Sequence, residues 1–143
     1  QLMREAAKTP GDPKILNSLG VLYARYGVVE KAAAQFNAAL KRGEYAPSLL
    51  NLGNLRSLQG SLEEALRYYQ RALVLQPDNP GVVLAVARTS HQLGNFGDAK
   101  RQYDRLASLD PALAGQYGYL AQRDQEAGRA AEAAYGGGVR WEE

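Results

Sequence analysis

The sequence predicts an all-α solenoid of stacked antiparallel helix pairs, about three full repeats with partial repeats at both ends. Three observations carry this. Glycines at Gly27, Gly60, Gly94 and Gly128 are each followed five residues later by an alanine, at Ala32, Ala65, Ala99 and Ala133. The glycine spacings are 33, 34 and 34 residues, and a fixed period of that size marks a stacked array, not a domain with one central core. Between the glycines, apolar and small residues recur at i, i+3, i+4 and i+7, the stripe of a helix.

Taken in order, residues 1–10 resemble the end of a second helix from a partial upstream repeat, closed by Pro10. Repeat 1 spans 13–45, repeat 2 spans 46–79 and repeat 3 spans 80–113. Residues 114–135 are a partial, capping repeat, and 136–143 read as a flexible tail. Each unit splits at its glycine into two helices. Leu16, Leu19, Gly20 and Tyr23 make the stripe of one first helix; Leu49, Leu52 and Gly53 make the next. Ala32, Phe36, Ala39 and Leu40, then Ala65, Tyr69, Ala72 and Leu73, do the same for the second helices. Asp12-Pro13 and Asn79-Pro80 read as an N-cap with proline in the first turn. Gly43 follows Lys41-Arg42 as a helix-ending glycine, and Pro77 and Pro111 end the second and third units.

The small columns Gly20, Gly53, Ala87, Ala121 and Ala32, Ala65, Ala99, Ala133 let paired helices approach closely. Tyr23, Phe36, Tyr69 and Tyr103 then fill the space between units. A unit alone would leave an apolar face in water, so stacking is what stabilises it.

Composition excludes several functions. The 143 residues include 17 basic and 15 acidic side chains, a net charge of +2, which gives no electrostatic footprint for nucleic acid or a membrane surface. Net charge falls from +3 over 13–45 to −2 over 114–143, a mild gradient that a solvated surface explains. No apolar run approaches the ~20 residues that span a bilayer. Cysteine is absent, which removes disulfides, thiolate chemistry and cysteine-based metal sites. The chain opens on Gln1, as a mature chain or an excised piece would.

No residue set points to catalysis, and neither metal nor cofactor is expected. His91 is the single histidine and lacks His or Cys partners for a metal. Ser90 is its neighbour in sequence, but adjacent helical residues point apart, which disfavours a nucleophile–base pair. Glu63-Glu64 opens a helix, where carboxylates favour the dipole; Asp124 and Glu126 suit a solvated face. Gly136-Gly137-Gly138 lacks the lysine and hydroxyl residue of a phosphate loop and reads as a linker.

The columns Leu16-x-x-Leu19-Gly20-x-x-Tyr23…Ala32…Phe36…Ala39 recur as Leu49-x-x-Leu52-Gly53…Ala65…Tyr69…Ala72…Pro77 and as Val83-x-x-Val86-Ala87…Ala99…Tyr103…Pro111. This pattern resembles the tetratricopeptide repeat, a helix–turn–helix unit of 34 residues. Arg56, Ser90 and Asp124 depart from it where an aromatic is usual, and Leu106 where alanine is usual. The resemblance implies a right-handed superhelix and a non-enzymatic protein–protein interaction module. Its first helices would line a concave groove for an extended peptide or a helix of another protein. The groove residues so implied are Asn17, Val21, Arg25, Leu50, Asn51, Asn54, Leu84, Arg88, Gln92, Tyr119 and Gln122, with Ala24, Ser57, His91, Gly118 and Gln125 beside them. Side-chain amides both donate and accept, which suits the backbone of an extended peptide. The basic residues Lys31, Lys41, Arg42, Arg67, Arg71, Lys100, Arg101 and Arg105 fall on the outer, second helices.

A subclass of the family clamps a chaperone's terminal carboxylate with basic and amide residues. Asn51 fits one such slot, but Val21, Gly81 and Ala85 occupy others, so that subclass is disfavoured. The alternatives to groove binding are self-association through exposed end faces and service as a regulatory appendage of an enzyme in a longer parent chain. Trp141, the single tryptophan, lies in the tail. It could cap the last helix pair or dock in a groove as a tethered ligand.

Overall fold

The computed structural model describes residues 1–135 and 138–143, with backbone alone for Gln125, Glu132, Ala134 and Tyr135. Among these residues all regular structure is helical. Helix α1 is Leu2–Lys8. Three hairpins follow: α2 (Pro13–Arg25) with α3 (Val29–Ala39), α4 (Ala46–Leu58) with α5 (Leu62–Leu75), and α6 (Pro80–Gln92) with α7 (Phe96–Leu109). Helix α8 (Pro111–Gly115), a 3-10 helix at Gly118–Ala121 and α9 (Gln125–Tyr135) close the array. The two helices of each hairpin pack together, and each second helix also packs on the first helix of the next unit.

The repeated glycine makes the hairpin turn. Gly27, Gly60 and Gly94 have φ of 74°, 80° and 82°, the left-handed region where a side chain is strained. The amide after each glycine reaches back to a carbonyl of the last helical turn: Val28 to Tyr23 at 2.9 Å, Ser61 to Arg56 at 2.9 Å and Asn95 to Ser90 at 2.8 Å. This satisfies carbonyls that the helix end would otherwise orphan, and it fixes the reversal. At the opposite ends, Asp12 accepts from the Lys14 amide at 3.0 Å and Asn79 from the Gly81 amide at 2.9 Å, each with proline at the first helical position.

The small columns serve close approach. A Cβ built on Gly53 would stand 2.5 Å from the Tyr69 ring, and one on Gly20 would collide with Phe36. Both aromatic rings are buried, at 3% and 0% exposure. The core is segmented into clusters that each join two successive units. Val21, Ala32, Phe36, Leu52 and Leu55 form one cluster, Leu49, Leu50, Tyr69, Val82 and Val86 a second, and Val83, Leu84, Leu106, Ala114 and Leu120 a third. On the outer surface a cross-unit ion pair repeats with the period. Arg71 binds Glu44 at 2.7 Å and Arg105 binds Asp78 at 2.5 Å, each tying a second helix to the loop before its own unit.

The fourth unit departs from expectation. Pro111 does not end the third unit; it opens α8, capped by Asp110, whose side chain accepts from the Leu113 amide at 3.0 Å. Helix α8 stops after five residues, and Gly118–Ala121 continues only as a 3-10 turn. Gly115 and Gly118 each disfavour an α-helix by about 1 kcal/mol relative to alanine, so the first helix of this unit is not completed. Consequently Gly128 is no turn residue. It lies within α9, and a Cβ there would stand 2.9 Å from Nδ1 and Cε1 of His91. His91, 1% exposed, donates Nε2–H to the Gln122 carbonyl at 3.0 Å and meets Phe96 and Tyr119 edge-on at 5.0 and 5.2 Å. The lone histidine thus pins the closing segment to α6.

Candidate peptide-binding groove

The first helices α2, α4 and α6 present a row of amide and basic side chains, one or two per helix. Helical spacing decides which they are. Asn51 and Asn54 sit three residues apart on α4, hence on one face, with Asn17 beside them on α2 and Arg88 on α6. Asn17, Asn51 and Asn54 are 0%, 0% and 2% exposed, and a buried amide must be bonded.

Their partner is the chain's own C-terminal segment. Arg88 donates to the Gly138 carbonyl at 3.0 Å, Asn54 Nδ2 to the Arg140 carbonyl at 2.8 Å, and both Asn17 and Asn51 to the Glu142 carbonyl, at 2.9 and 2.7 Å. Asn51 also accepts from the Glu142 amide at 2.8 Å, so its side-chain amide grips both backbone groups of one residue. Every second carbonyl is held, which is the periodicity of an extended chain. The segment runs from the third unit towards the first, against the order of the repeats. Beyond it, Arg25 pairs with Glu143 at 3.3 Å.

A second set of bonds orients the amides. Ser48 Oγ and Asn51 Nδ2 both donate to Asn17 Oδ1 at 2.9 Å, which turns Nδ2 of Asn17 to the peptide. The Tyr69 hydroxyl donates to Asn54 Oδ1 at 2.6 Å and does the same for Asn54. Burial raises the pKa of the Tyr69 phenol above its ordinary value, so it stays a donor at neutral pH.

Apolar surface alternates with these polar grips. Trp141 packs on the cluster of Val21, Phe36, Leu52 and Leu55. Val139 borders a cleft lined by Leu50, Leu84 and Ala85 together with the polar Asn54, Ser57, Tyr69, Arg88, Thr89 and Gln92. Arg88 also lies over the Tyr117 ring at 5.5 Å from its centre.

The expected groove residues divide accordingly. Asn17, Arg25, Asn51, Asn54 and Arg88 bond or pair with the segment; Leu50, Leu84 and Gln92 line the cleft. Val21 is fully buried in the core cluster beneath Trp141, because its position on α2 faces α3 and α4. Tyr119 and Gln122 do not extend the row. The break after α8 carries them to the array's end, where both meet His91. His91 is likewise packed away from the groove. The Gln125 side chain lies outside the described residues. The expectation of a flexible tail gives way over 138–143 to a segment held by the groove; Gly136 and Gly137 lie outside the described residues. Sequence reasoning assigned Tyr69 to packing alone and left out Ser48, although a tyrosine facing a small-residue column with an asparagine nearby signals a bonded hydroxyl.

No group of three or more His, Cys, Asp or Glu among the described residues is arranged to hold a metal ion. None of the described helices is long and apolar enough to cross a membrane.

Residues 46–79 match the family model described as the tetratricopeptide repeat. The chain is 28% identical over 112 residues to the BBSome complex member BBS4 of Bos taurus, covering 78% of this chain and 22% of that protein. It therefore spans about a fifth of that relative's length. A crystal structure of a tetratricopeptide repeat protein from Parabacteroides merdae superposes with a TM-score of 0.72 at 19% identity, covering 94% of this chain and 56% of that one. The crystal structure of PcrH in complex with the chaperone binding region of PopB superposes with a TM-score of 0.64 at 24% identity, covering 86% and 96%.

Proposed function

The chain belongs to the tetratricopeptide-repeat family, and from that premise we propose that it is a non-enzymatic interaction module whose groove along α2, α4 and α6 binds an extended segment of a partner protein. The observation that carries this is the grip on alternate carbonyls of residues 138–142 by Arg88, Asn54, Asn51 and Asn17. Backbone bonds of this kind give affinity without demanding one sequence. Each contributes ~0.5–1.5 kcal/mol net, so the set supports binding by several small terms. PcrH, which shares the fold, is seen with a region of another protein, PopB. Among the outward basic residues, Arg71, Lys100, Arg101 and Arg105 are paired with carboxylates, which lowers the net positive charge that face offers to a nucleic acid or a membrane surface.

The test is selection from a random peptide display library on the full-length Trp141→Ala chain, in which the segment's anchor is gone. Peptides are expected to enrich, bind one per chain, and lose binding when Asn51→Ala and Asn54→Ala are added. Enriched peptides indifferent to those two substitutions, or no enrichment at all, would remove the groove as the binding surface.

A further inference from the structure

Resting on that reading, we propose that the partner segment has a side-chain code read at every second residue: an aliphatic residue, an aromatic two residues on, and an acidic residue two further on. It enters from the third unit and leaves at the first. The docked segment supplies the argument. Gly138, Arg140 and Glu142 give their carbonyls to the ladder of Arg88, Asn54, Asn51 and Asn17, so these positions are used for their backbone. Gly138 and Arg140 are exposed, and Glu142 is half-buried. The intervening residues meet three different surfaces. Val139 borders the cleft of Leu50, Leu84 and Ala85 between the second and third units. Trp141 is half-buried on the apolar cluster of the first and second units. Glu143 meets the Arg25 guanidinium at 3.3 Å.

The surfaces differ in chemistry, and that gives direction as well as selectivity. The apolar shelf under Trp141 is built from Val21, Phe36, Leu52 and Leu55, and Arg25 stands one helical turn beyond Val21 on α2. A segment running the other way would set its aliphatic residue beside the exposed Arg25 guanidinium and lose the contact with Leu50, Leu84 and Ala85. Alternation follows from extended geometry, in which successive side chains point to opposite faces. The occupant is therefore an unfolded or strand-like stretch of another protein, not an amphipathic helix, whose backbone would leave the asparagine amides unpaired.

The experiment uses the full-length Trp141→Ala chain and a fluorescein-labelled, amidated peptide Gly-Val-Arg-Trp-Glu-Glu, the sequence of residues 138–143, read by fluorescence anisotropy. Circular dichroism establishes that each chain variant remains helical. The parent peptide is expected to saturate, and Asn51→Ala with Asn54→Ala in the chain to abolish binding. Within the peptide, alanine for the tryptophan should cost about tenfold or more, and serine for the valine about fivefold. Glutamine for the final glutamate should cost about twofold at low salt and nothing at high salt. Alanine for the arginine or the first glutamate should change affinity by less than about twofold. Equal losses at odd and even positions, with binding still dependent on Asn51 and Asn54, would overturn the code and leave the groove reading intact. Failure of the parent peptide to bind would overturn both. Sedimentation of the wild-type chain tests the remaining occupant: a dimer abolished by Trp141→Ala would assign the site to a second copy of this chain and overturn the proposal.

Discussion

The Tyr69 hydroxyl donates a 2.6 Å hydrogen bond to Oδ1 of Asn54, and Asn54 in turn gives Nδ2 to the Arg140 carbonyl. One atom pair thus connects the packing column of a second helix to the groove face of a first helix. The Tyr69 ring sits where Gly53 lacks a side chain, and its oxygen aims the amide that a peptide meets.

Tyr69→Phe keeps the ring and removes the aim. It leaves Asn54 Oδ1 buried without its donor, a cost of about 1–3 kcal/mol. Urea unfolding should register that loss. Trp141 emission, the only tryptophan signal in the chain, should shift towards that of solvated indole as the segment loosens. An unchanged emission maximum would show that Asn54 holds its orientation without the phenol.

The same hydroxyl gives a pH dependence. Its folded pKa lies above the ordinary 10.0, with burial as the largest cause. Above pH ~10 the unfolded chain releases the proton first, so stability present below that pH is lost as pH rises. The urea midpoint of the wild type should fall more steeply between pH 9 and 11 than that of Tyr69→Phe. Parallel slopes would assign alkaline loss to other tyrosines.

Glycine substitutions should separate close approach from mere flexibility. Gly53→Ala places a methyl 2.5 Å from the Tyr69 ring and should cost about 1–3 kcal/mol through overpacking. Gly97→Ala, in the first turn of α7 with nothing within 4 Å, should be neutral or stabilising by up to about 1 kcal/mol. Comparable melting shifts for the two would contradict the packing account of the Gly53 column.

Gly128→Ala should act on the array's end. Its methyl would stand 2.9 Å from the His91 ring, which holds the Gln122 carbonyl. Amide hydrogen exchange is expected to accelerate across 118–135 while α2 to α5 stay protected. Uniform acceleration along the chain would mean that the closing segment is not locally held.

Arg25→Ala offers a contrast. Its pair with Glu143 is more than half exposed on both sides, at 54% and 56%. Segment docking should weaken by less than about 1 kcal/mol, and added salt should erase the difference from wild type. A larger, salt-independent effect on Trp141 emission would point to packing by the arginine stem instead.

Local rules made most of the fold legible. The turn glycines, the capping Asp12 and Asn79, and the small columns at Gly20 and Gly53 each express their reason within one unit. Asn17, Asn51 and Asn54 were legible as groove residues because nothing in a helix pair needs an amide at those positions. Val21 was not separable from them, since groove and core share a helix and meet at its edge. The fourth unit misled because Gly128 keeps the period while Gly115 and Gly118 interrupt the helix that would make it a turn. The docked segment was open only as an alternative. Its bonds join residues 50 to 125 positions apart, and no periodicity reports such pairings.

Arrays of this kind bind neighbour to neighbour, so their units can open one at a time. Here a single strand of backbone is gripped by residues of α6, α4 and α2. It acts as a strap across three units that otherwise communicate only through their shared faces. Whatever lies in the groove therefore makes the units melt together, and its departure returns them to independent fraying. Occupancy and cooperativity of unfolding become the same variable.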